Sequence, residues 1–208
     1  MKISPTYSKN QHINSKINIK KIFKLNLSGF LLILTNIFVI FLAIYEKWDL
    51  STLLWIYWFQ SIIIGLFTFI KILNLKNFTT ENFYINHRAV EPTKQTKNFT
   101  AFFFLIHYGA FHLGYLTFLL KETSFNFSFV ILLGIVSFAS NHLYSFIKNF
   151  KQDTEKKQNI GKVMFFPYAR IIPMHIIIVS GLFFQEGLII FLVLKSIADL
   201  IMHQIEHY

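Results

Sequence analysis

The sequence predicts an all-α membrane protein, a bundle of about six transmembrane helices, and three observations support this fold class. The 208 residues are 54% hydrophobic and 18% aromatic, and the mean hydropathy of +0.48 is well above that of soluble domains. Six apolar stretches approach the roughly 20 residues that a bilayer-spanning helix requires. Basic residues concentrate between these stretches, as in the cytoplasmic loops of membrane proteins.

The chain divides into a polar, basic cytoplasmic tail, residues 1–26, and a transmembrane domain, residues 27–208. The apolar stretches of this domain predict helices at 27–45, 51–71, 98–120, 125–147, 168–184 and 187–205. Short links with few positive charges join helices one and two, three and four, and five and six, whereas the other links are basic. Because basic loops stay in the cytoplasm, we expect both termini on the cytoplasmic side of the membrane.

Individual helices carry further signals. Helix one has a basic flank like that of a signal peptide, but its long apolar run and the lack of a small-x-small cleavage site predict a retained helix. Trp48, Trp55 and Trp58 fall at the outer ends of helices one and two, where amphipathic rings prefer the headgroup level. Helix five is short and contains Pro173, which predicts a kink near His175.

Charge and composition limit the partners. The net charge of +10 could serve nucleic-acid binding. However, six of the 20 Lys and Arg residues precede residue 27, and two groups of five lie at 71–97 and 148–162, in the links between apolar runs. We therefore expect contact with the lipid bilayer, with anionic lipid at the basic cytoplasmic face, and no nucleic-acid partner. The absence of cysteine excludes disulfides, thiolate metal sites and thiol nucleophiles. The sequence does not specify the oligomeric state.

Helix six ends in KSIADLIMHQIEHY and carries charges that membrane spans rarely contain. An ionisable group at the bilayer centre costs about 2.5–3.5 kcal/mol on insertion scales, so such groups face the bundle interior. At 100° per residue, Glu206, Asp199 and His203 lie about 20°, 40° and 80° from Lys195, which makes one polar stripe. Lys195 and Asp199 are also four residues apart, the spacing of an intrahelical ion pair.

Other helices place polar groups at a similar depth. Counted at about 1.5 Å per residue from the cytoplasmic ends, His142 lies about 8 Å deep, His175 about 10 Å, His107 about 13 Å and Gln60 about 16 Å. The candidate cluster therefore consists of His107, His142, His175, Lys195, Asp199 and His203, with Gln60, Arg170 and Glu206 as secondary members.

Three functions fit such a cluster. The histidines could act as general bases or hold a divalent metal such as Zn or Fe, with His107, His175, Asp199 and His203 as candidate ligands. Alternatively, the titratable groups could form the relay of a small proton-coupled transporter or channel. In a third interpretation the protein is structural or accessory, and its polar layer only fixes helix packing. Whether the protein is an enzyme stays open at this point.

Two metalloenzyme motifs match the sequence only in part. His203-Gln-Ile-Glu206-His207 has the H-x-x-E-H order of the inverzincins, but no third ligand accompanies it. His107 and His112, together with the segment QIEH, resemble the histidine boxes of membrane di-iron desaturases and hydroxylases. The chain lacks the His-His pair and the full histidine set of those enzymes.

Several segments distributed over the apolar helices form a recognisable set. They are Tyr57-Trp58-Phe59-Gln60-Ser61 with Gly65, His107-Tyr108-Gly109, Asn141-His142 with Ser145-Phe146 and Asn149-Phe150, Arg170 to His175, and Lys195, Asp199, His203 and Glu206. Together they resemble a family of uncharacterised multi-pass prokaryotic membrane proteins, known only as a domain of unknown function. The resemblance implies a multi-pass protein of the prokaryotic cell (inner) membrane and points to these polar residues. It implies no activity.

Overall fold

The described part of the chain is almost entirely helical. The structure, a computed structural model, describes residues 27–48, 50–123, 129–180 and 187–207. Its six helices are α1 (Leu27–Tyr45), α2 (Leu50–Asn74), α3 (Lys94–Glu122), α4 (Phe129–Glu155), α5 (Ile160–Ser180) and α6 (Gly187–His207). The predicted all-α class is therefore confirmed. The predicted tail, 1–26, lies outside the described residues.

Five of the helices extend beyond the apolar stretches that predicted them. Thus α3 begins at Lys94 and not at residue 98, α4 continues to Glu155 and not to residue 147, and α5 begins at Ile160 and not at residue 168; α2 also runs to Asn74 and α6 to His207. Hydropathy locates only the apolar part of a helix, whereas backbone hydrogen bonding continues into polar turns. The first turn of α3, for example, is capped by Thr93, whose Oγ1 accepts from the backbone N–H of Thr96 at 3.2 Å.

The basic segment between α2 and α3 contains short strands. Strand β1 (Phe78–Thr79) pairs in parallel with β4 (Gln158–Asn159), and β2 (Tyr84–Ile85) pairs with β3 (Arg88–Ala89) in a hairpin. The two turn residues of this hairpin, Asn86 and His87, both have positive φ angles, as in a type I′ turn. This segment is therefore folded against the junction of α4 and α5.

Helix α2 lies at the centre of the bundle, antiparallel to α3. Trp55 Nε1 donates to Thr123 Oγ1 at 3.1 Å near one end, and Lys97 Nζ donates to the Leu75 carbonyl at 3.1 Å near the other. Trp55 thus faces the bundle interior and not the surrounding surface. Between these ends Gly65 allows close approach, because a Cβ atom there would lie 2.6 Å from the ring of Tyr108.

Three helical segments, Leu50–Asn74, Lys94–Glu122 and Ile131–Glu155, are long and apolar enough to cross a membrane, and Gly29–Tyr45 is a shorter apolar helix. Large apolar side chains cover the outer surface of the bundle, among them Phe41, Ile106, Leu113 and Ile147. An exposed apolar surface of this extent is typical of contact with lipid or with another protein.

Candidate functional site

The centre of the candidate site is a buried ion pair within α6. Lys195 Nζ lies 2.7 Å from Asp199 Oδ2, and the Asp199 side chain is 0% exposed. The same Nζ donates to Asn36 Oδ1 of α1 at 2.7 Å and lies 3.6 Å from the ring centroid of Phe138 in α4. A carboxylate, an amide oxygen and an aromatic face therefore surround the ammonium group, which offsets its desolvation.

A hydrogen-bonded row continues from this pair to α2 and α4. Gln60 Nε2 donates to Asp199 Oδ2 at 3.3 Å and lies 2.8 Å from His142 Nε2. Gln60 is 1% exposed. Its Oε1 and the Oδ1 of Asp199 have no hydrogen-bond partner among the described residues. One amide nitrogen therefore connects a buried carboxylate with an imidazole.

A polar cavity begins where this row ends. Its volume is about 50 Å³, enough for water molecules, since about 10–15 Å³ can hold one. It is lined by Ile64, Phe67, Thr68, Lys71, His142, Ser145, Phe146, Asp153, Arg170 and His203. Lys71 and Asp153 form an ion pair at 2.9 Å. The cavity therefore connects His142 with a second ion pair near the ends of α2 and α4.

Helix periodicity places these groups together. The step from Lys195 to Asp199 and the step from Asp199 to His203 are each four residues, so the three side chains follow one another along one face of α6 at intervals of about 6 Å. All three are buried.

Helices α2 and α4 run in the same direction, and their paired residues are equally spaced. Gln60 precedes Lys71 by the same number of residues as His142 precedes Asp153.

The structure separates two of the predicted histidines from this cluster. His107 is exposed on α3, where Nδ1 lies 2.8 Å from the hydroxyl of Tyr168. His175 is exposed on α5, and its Nδ1 lies 3.2 Å from the hydroxyl of Tyr115. Both residues are exposed on the outer surface of the bundle. They form histidine–tyrosine pairs and do not join Asp199 and His203.

Arg170 and Glu206 complete the set of predicted residues. Arg170 is buried and lines the cavity. Glu206 belongs to α6, but the structure does not describe its side chain.

The predicted metal ligands are not gathered in one place. Among the side chains that the structure describes, no group of three or more His, Cys, Asp and Glu residues is close enough to hold a metal ion. Of the four candidates, Asp199 and His203 are buried, whereas His107 and His175 are exposed. The divalent-metal hypothesis stays a prediction.

Three residues of the site were missed by the sequence reasoning. Asn36 is an isolated amide in the apolar run of helix one, and such an amide is itself a signal, because a buried polar group needs a partner. Lys71 and Asp153 gave a weaker signal, since charges near helix ends usually lie in solvent or at the interface.

Comparison with known proteins identifies the family of the chain. No curated protein and no solved structure matches the chain significantly. One family model, described as a family of unknown function (DUF6498), matches residues 18–208. This range includes every helix described above, so the chain belongs to the DUF6498 family of unknown function.

Proposed function

We propose that this protein is a multi-pass membrane protein in which all six helices cross the bilayer and the buried cluster transfers protons. In this proposal protons cross the bilayer by way of the cavity and the Lys195–Asp199 pair. The observation that supports it best is the unbroken row Lys195–Asp199–Gln60–His142, which leads into a polar cavity.

Helix length and burial support the six-span arrangement. Helices α5 and α6 each contain 21 residues, which at 1.5 Å per residue corresponds to about 31 Å, and the hydrocarbon core is about 30 Å thick. The charges of α6 would oppose insertion if they faced lipid. Lys195 and Asp199 are instead buried against α1, α2 and α4, so this obstacle is removed.

The distribution of basic residues supports an orientation. The segments that adjoin the Lys71–Asp153 end of the bundle are basic, and they contain Lys76, Arg88, Lys94, Lys97, Lys151, Lys156, Lys157 and Lys162. By the positive-inside rule this end faces the cytoplasm and contacts anionic lipid. The cavity would then open toward the cytoplasm, with the Lys195–Asp199 pair deeper in the membrane. A prokaryotic cell membrane is the location that the sequence resemblance implies.

The chemistry of the row suits proton transfer. A carboxylate, an imidazole and an ammonium group each change charge when they bind or release a proton, and titratable groups inside membranes commonly serve as relays. Hydroxyls of Thr68 and Ser145 and any water in the cavity can carry a proton between His142 and the Lys71–Asp153 end. The predicted metal site would instead require His107 and His175 to turn inward from the surface.

Proton transfer can be tested in liposomes that contain the purified protein and a trapped pH-sensitive dye. After a potassium diffusion potential is imposed, wild-type protein should acidify the lumen faster than empty liposomes do. Asp199→Asn and His142→Gln should each reduce this rate at least tenfold. His107→Gln is the matched control, because it removes a histidine of similar depth that lies outside the cluster. A wild-type rate equal to that of empty liposomes, or an Asp199→Asn rate equal to wild type, would refute the proposal.

A structural role is the second candidate, and the closed surroundings of Lys195 favour it. Its ammonium group contacts Asp199, Asn36 and the ring of Phe138. These contacts join α1, α4 and α6. A polar layer whose only role is to fix helix register would make the same contacts. In that case the buried pair could be replaced by apolar residues without loss of function.

A further inference from the structure

The amide group of Gln60 lies between two groups that can bind protons. Its Nε2 is 3.3 Å from Asp199 Oδ2 and 2.8 Å from His142 Nε2. An ionised carboxylate can only accept hydrogen bonds, so the amide must turn its NH2 group toward Asp199. The second hydrogen of the same nitrogen then points toward His142. The Nε2 atom of His142 must therefore accept.

This contact specifies the tautomer of His142. An imidazole that accepts through Nε2 is neutral and carries its proton on Nδ1. A proton on Nε2 would instead face an amide N–H, which places two donors 2.8 Å apart. As long as Asp199 is ionised, Gln60 thus keeps the Nε2 atom of His142 unprotonated.

Rotation of the amide by half a turn about its Cγ–Cδ bond gives the second consistent arrangement. Oε1 would then accept from a proton on His142 Nε2, but it would also face Asp199 Oδ2. Two acceptors are compatible there only if Oδ2 carries a proton. The second arrangement therefore has one proton on His142 Nε2 and one on Asp199 Oδ2, and the first arrangement has neither.

We infer that Gln60 couples proton binding at His142 Nε2 to proton binding at Asp199 through the orientation of its amide group. This inference rests on the proposed function, because coupling matters only if the cluster exchanges protons. Gln60 is a positioning residue here: it takes up no proton, and it determines which atoms on either side can carry one.

Nearby charges act differently from this amide. Lys71, Arg170 and His203 line the cavity on the side of His142 together with Asp153, and Lys195 contacts Asp199. The electric fields of these groups change the affinity of His142 and Asp199 for a proton. The two tautomers of a neutral imidazole have the same net charge, so these fields distinguish them weakly, whereas a hydrogen bond to one nitrogen distinguishes them directly.

The experiment is nitrogen NMR of the full-length protein in lipid bilayers, with 15N-labelled histidine. In wild type at neutral pH the His142 signals should show a protonated Nδ1 and an unprotonated Nε2. Gln60→Met keeps the side-chain length but removes both amide atoms, and it should lower the ratio of this tautomer to the other about tenfold, which corresponds to about 1.4 kcal/mol. Ser61→Ala is the matched control, since it removes a neighbouring buried hydroxyl and should leave the ratio unchanged. His142→Gln assigns the signals.

Two results would overturn the coupling. One is a wild-type His142 with its proton on Nε2 while the 13C signal of the Asp199 carboxyl shows an ionised carboxylate, which needs no variant and can be read even if Gln60→Met does not fold. The other is an unchanged tautomer ratio in folded Gln60→Met. The liposome measurement on the same preparations separates this inference from the proposed function. If wild-type protein lets protons enter but the His142 tautomer ratio is the same in Gln60→Met, the coupling alone is rejected. If the ratio changes as expected but no protons enter, the proposed function is rejected and Gln60 is left as a structural link.

Discussion

Replacing the members of the Lys195–Asp199 pair singly and together measures what the buried charges contribute to stability. Three variants are compared: Asp199→Leu, Lys195→Met and the double variant, all of them with substitutions on one face of α6. Removing one partner of a buried ion pair generally costs about 3–5 kcal/mol, because the remaining charge is left buried without compensation. Apolar replacement of both partners is often nearly neutral, because neither charge then has to be desolvated.

The structure ranks the two single variants. In Asp199→Leu, Lys195 keeps Asn36 Oδ1 at 2.7 Å and the ring of Phe138 at 3.6 Å. We expect a loss near the lower end of the range, about 3 kcal/mol of unfolding free energy. In Lys195→Met, the carboxylate of Asp199 keeps the longer hydrogen bond from Gln60 at 3.3 Å, so a loss near the upper end, about 5 kcal/mol, is expected.

The assay is reversible unfolding of the purified protein in mixed detergent micelles, followed by helical circular dichroism. The double variant should lie within about 2 kcal/mol of wild type, so the pair would show a coupling energy of several kcal/mol. Single variants that each cost under about 1 kcal/mol, or a double variant whose loss equals the sum of the two, would contradict a compensated buried pair.

Three further predictions use the same unfolding assay. Gly65→Ala should cost about 1–3 kcal/mol, because the new Cβ atom would lie 2.6 Å from the ring of Tyr108, whereas Gly114→Ala, with no atom within 4 Å of its Cβ position, should be neutral or stabilising. Thr93→Ala removes the side-chain cap of α3 and should cost about 1 kcal/mol, with Thr117→Ala, on the exposed surface of the same helix, as control. Lys76→Met breaks the exposed ion pair with Glu155 and should leave the midpoint unchanged within error, in contrast to Lys195→Met at a similar N–O distance.

Periodicity and hydropathy predict much of the fold but only part of the site. The spacing of Lys195, Asp199 and His203 predicts one stripe on α6, and the structure buries all three. For α3 and α5 the sequence gives depth along the helix but not the direction around its axis. His107 and His175 were therefore expected in the cluster and yet lie on the outer surface. That direction depends on which neighbouring helices pack where, which no single segment encodes.

Asn36 illustrates a second limit of sequence reasoning, because it was missed, whereas Gln60 was predicted as a secondary member of the cluster. Charged residues in an apolar run attract attention because their burial is costly, whereas a single amide in the same run can be overlooked. In the structure these two amides make the cross-helix contacts of the ion pair, Asn36 to Lys195 and Gln60 to Asp199. A charge buried in a bundle needs neutral donors and acceptors on other helices. The isolated amides of the apolar helices were therefore the places to search for its partners.

The paired residues on α2 and α4 are equally spaced, which the structural interpretation explains as helix register. One variant can distinguish this interpretation from proton transfer. Gln60 contacts His142, and Lys71 contacts Asp153. The two contacts join parallel helices, and the number of residues between them is the same on α2 as on α4. A slip of one helix by a single turn would break both contacts, so the polar layer specifies register in either interpretation. Register needs only donors and acceptors, whereas proton transfer needs atoms that titrate. Asp199→Asn keeps an oxygen acceptor for Lys195 but loses the carboxylate. If this variant stays folded and loses proton entry, the cluster does more than hold the helices in register; if it stays folded and loses nothing, register is sufficient to explain the buried row.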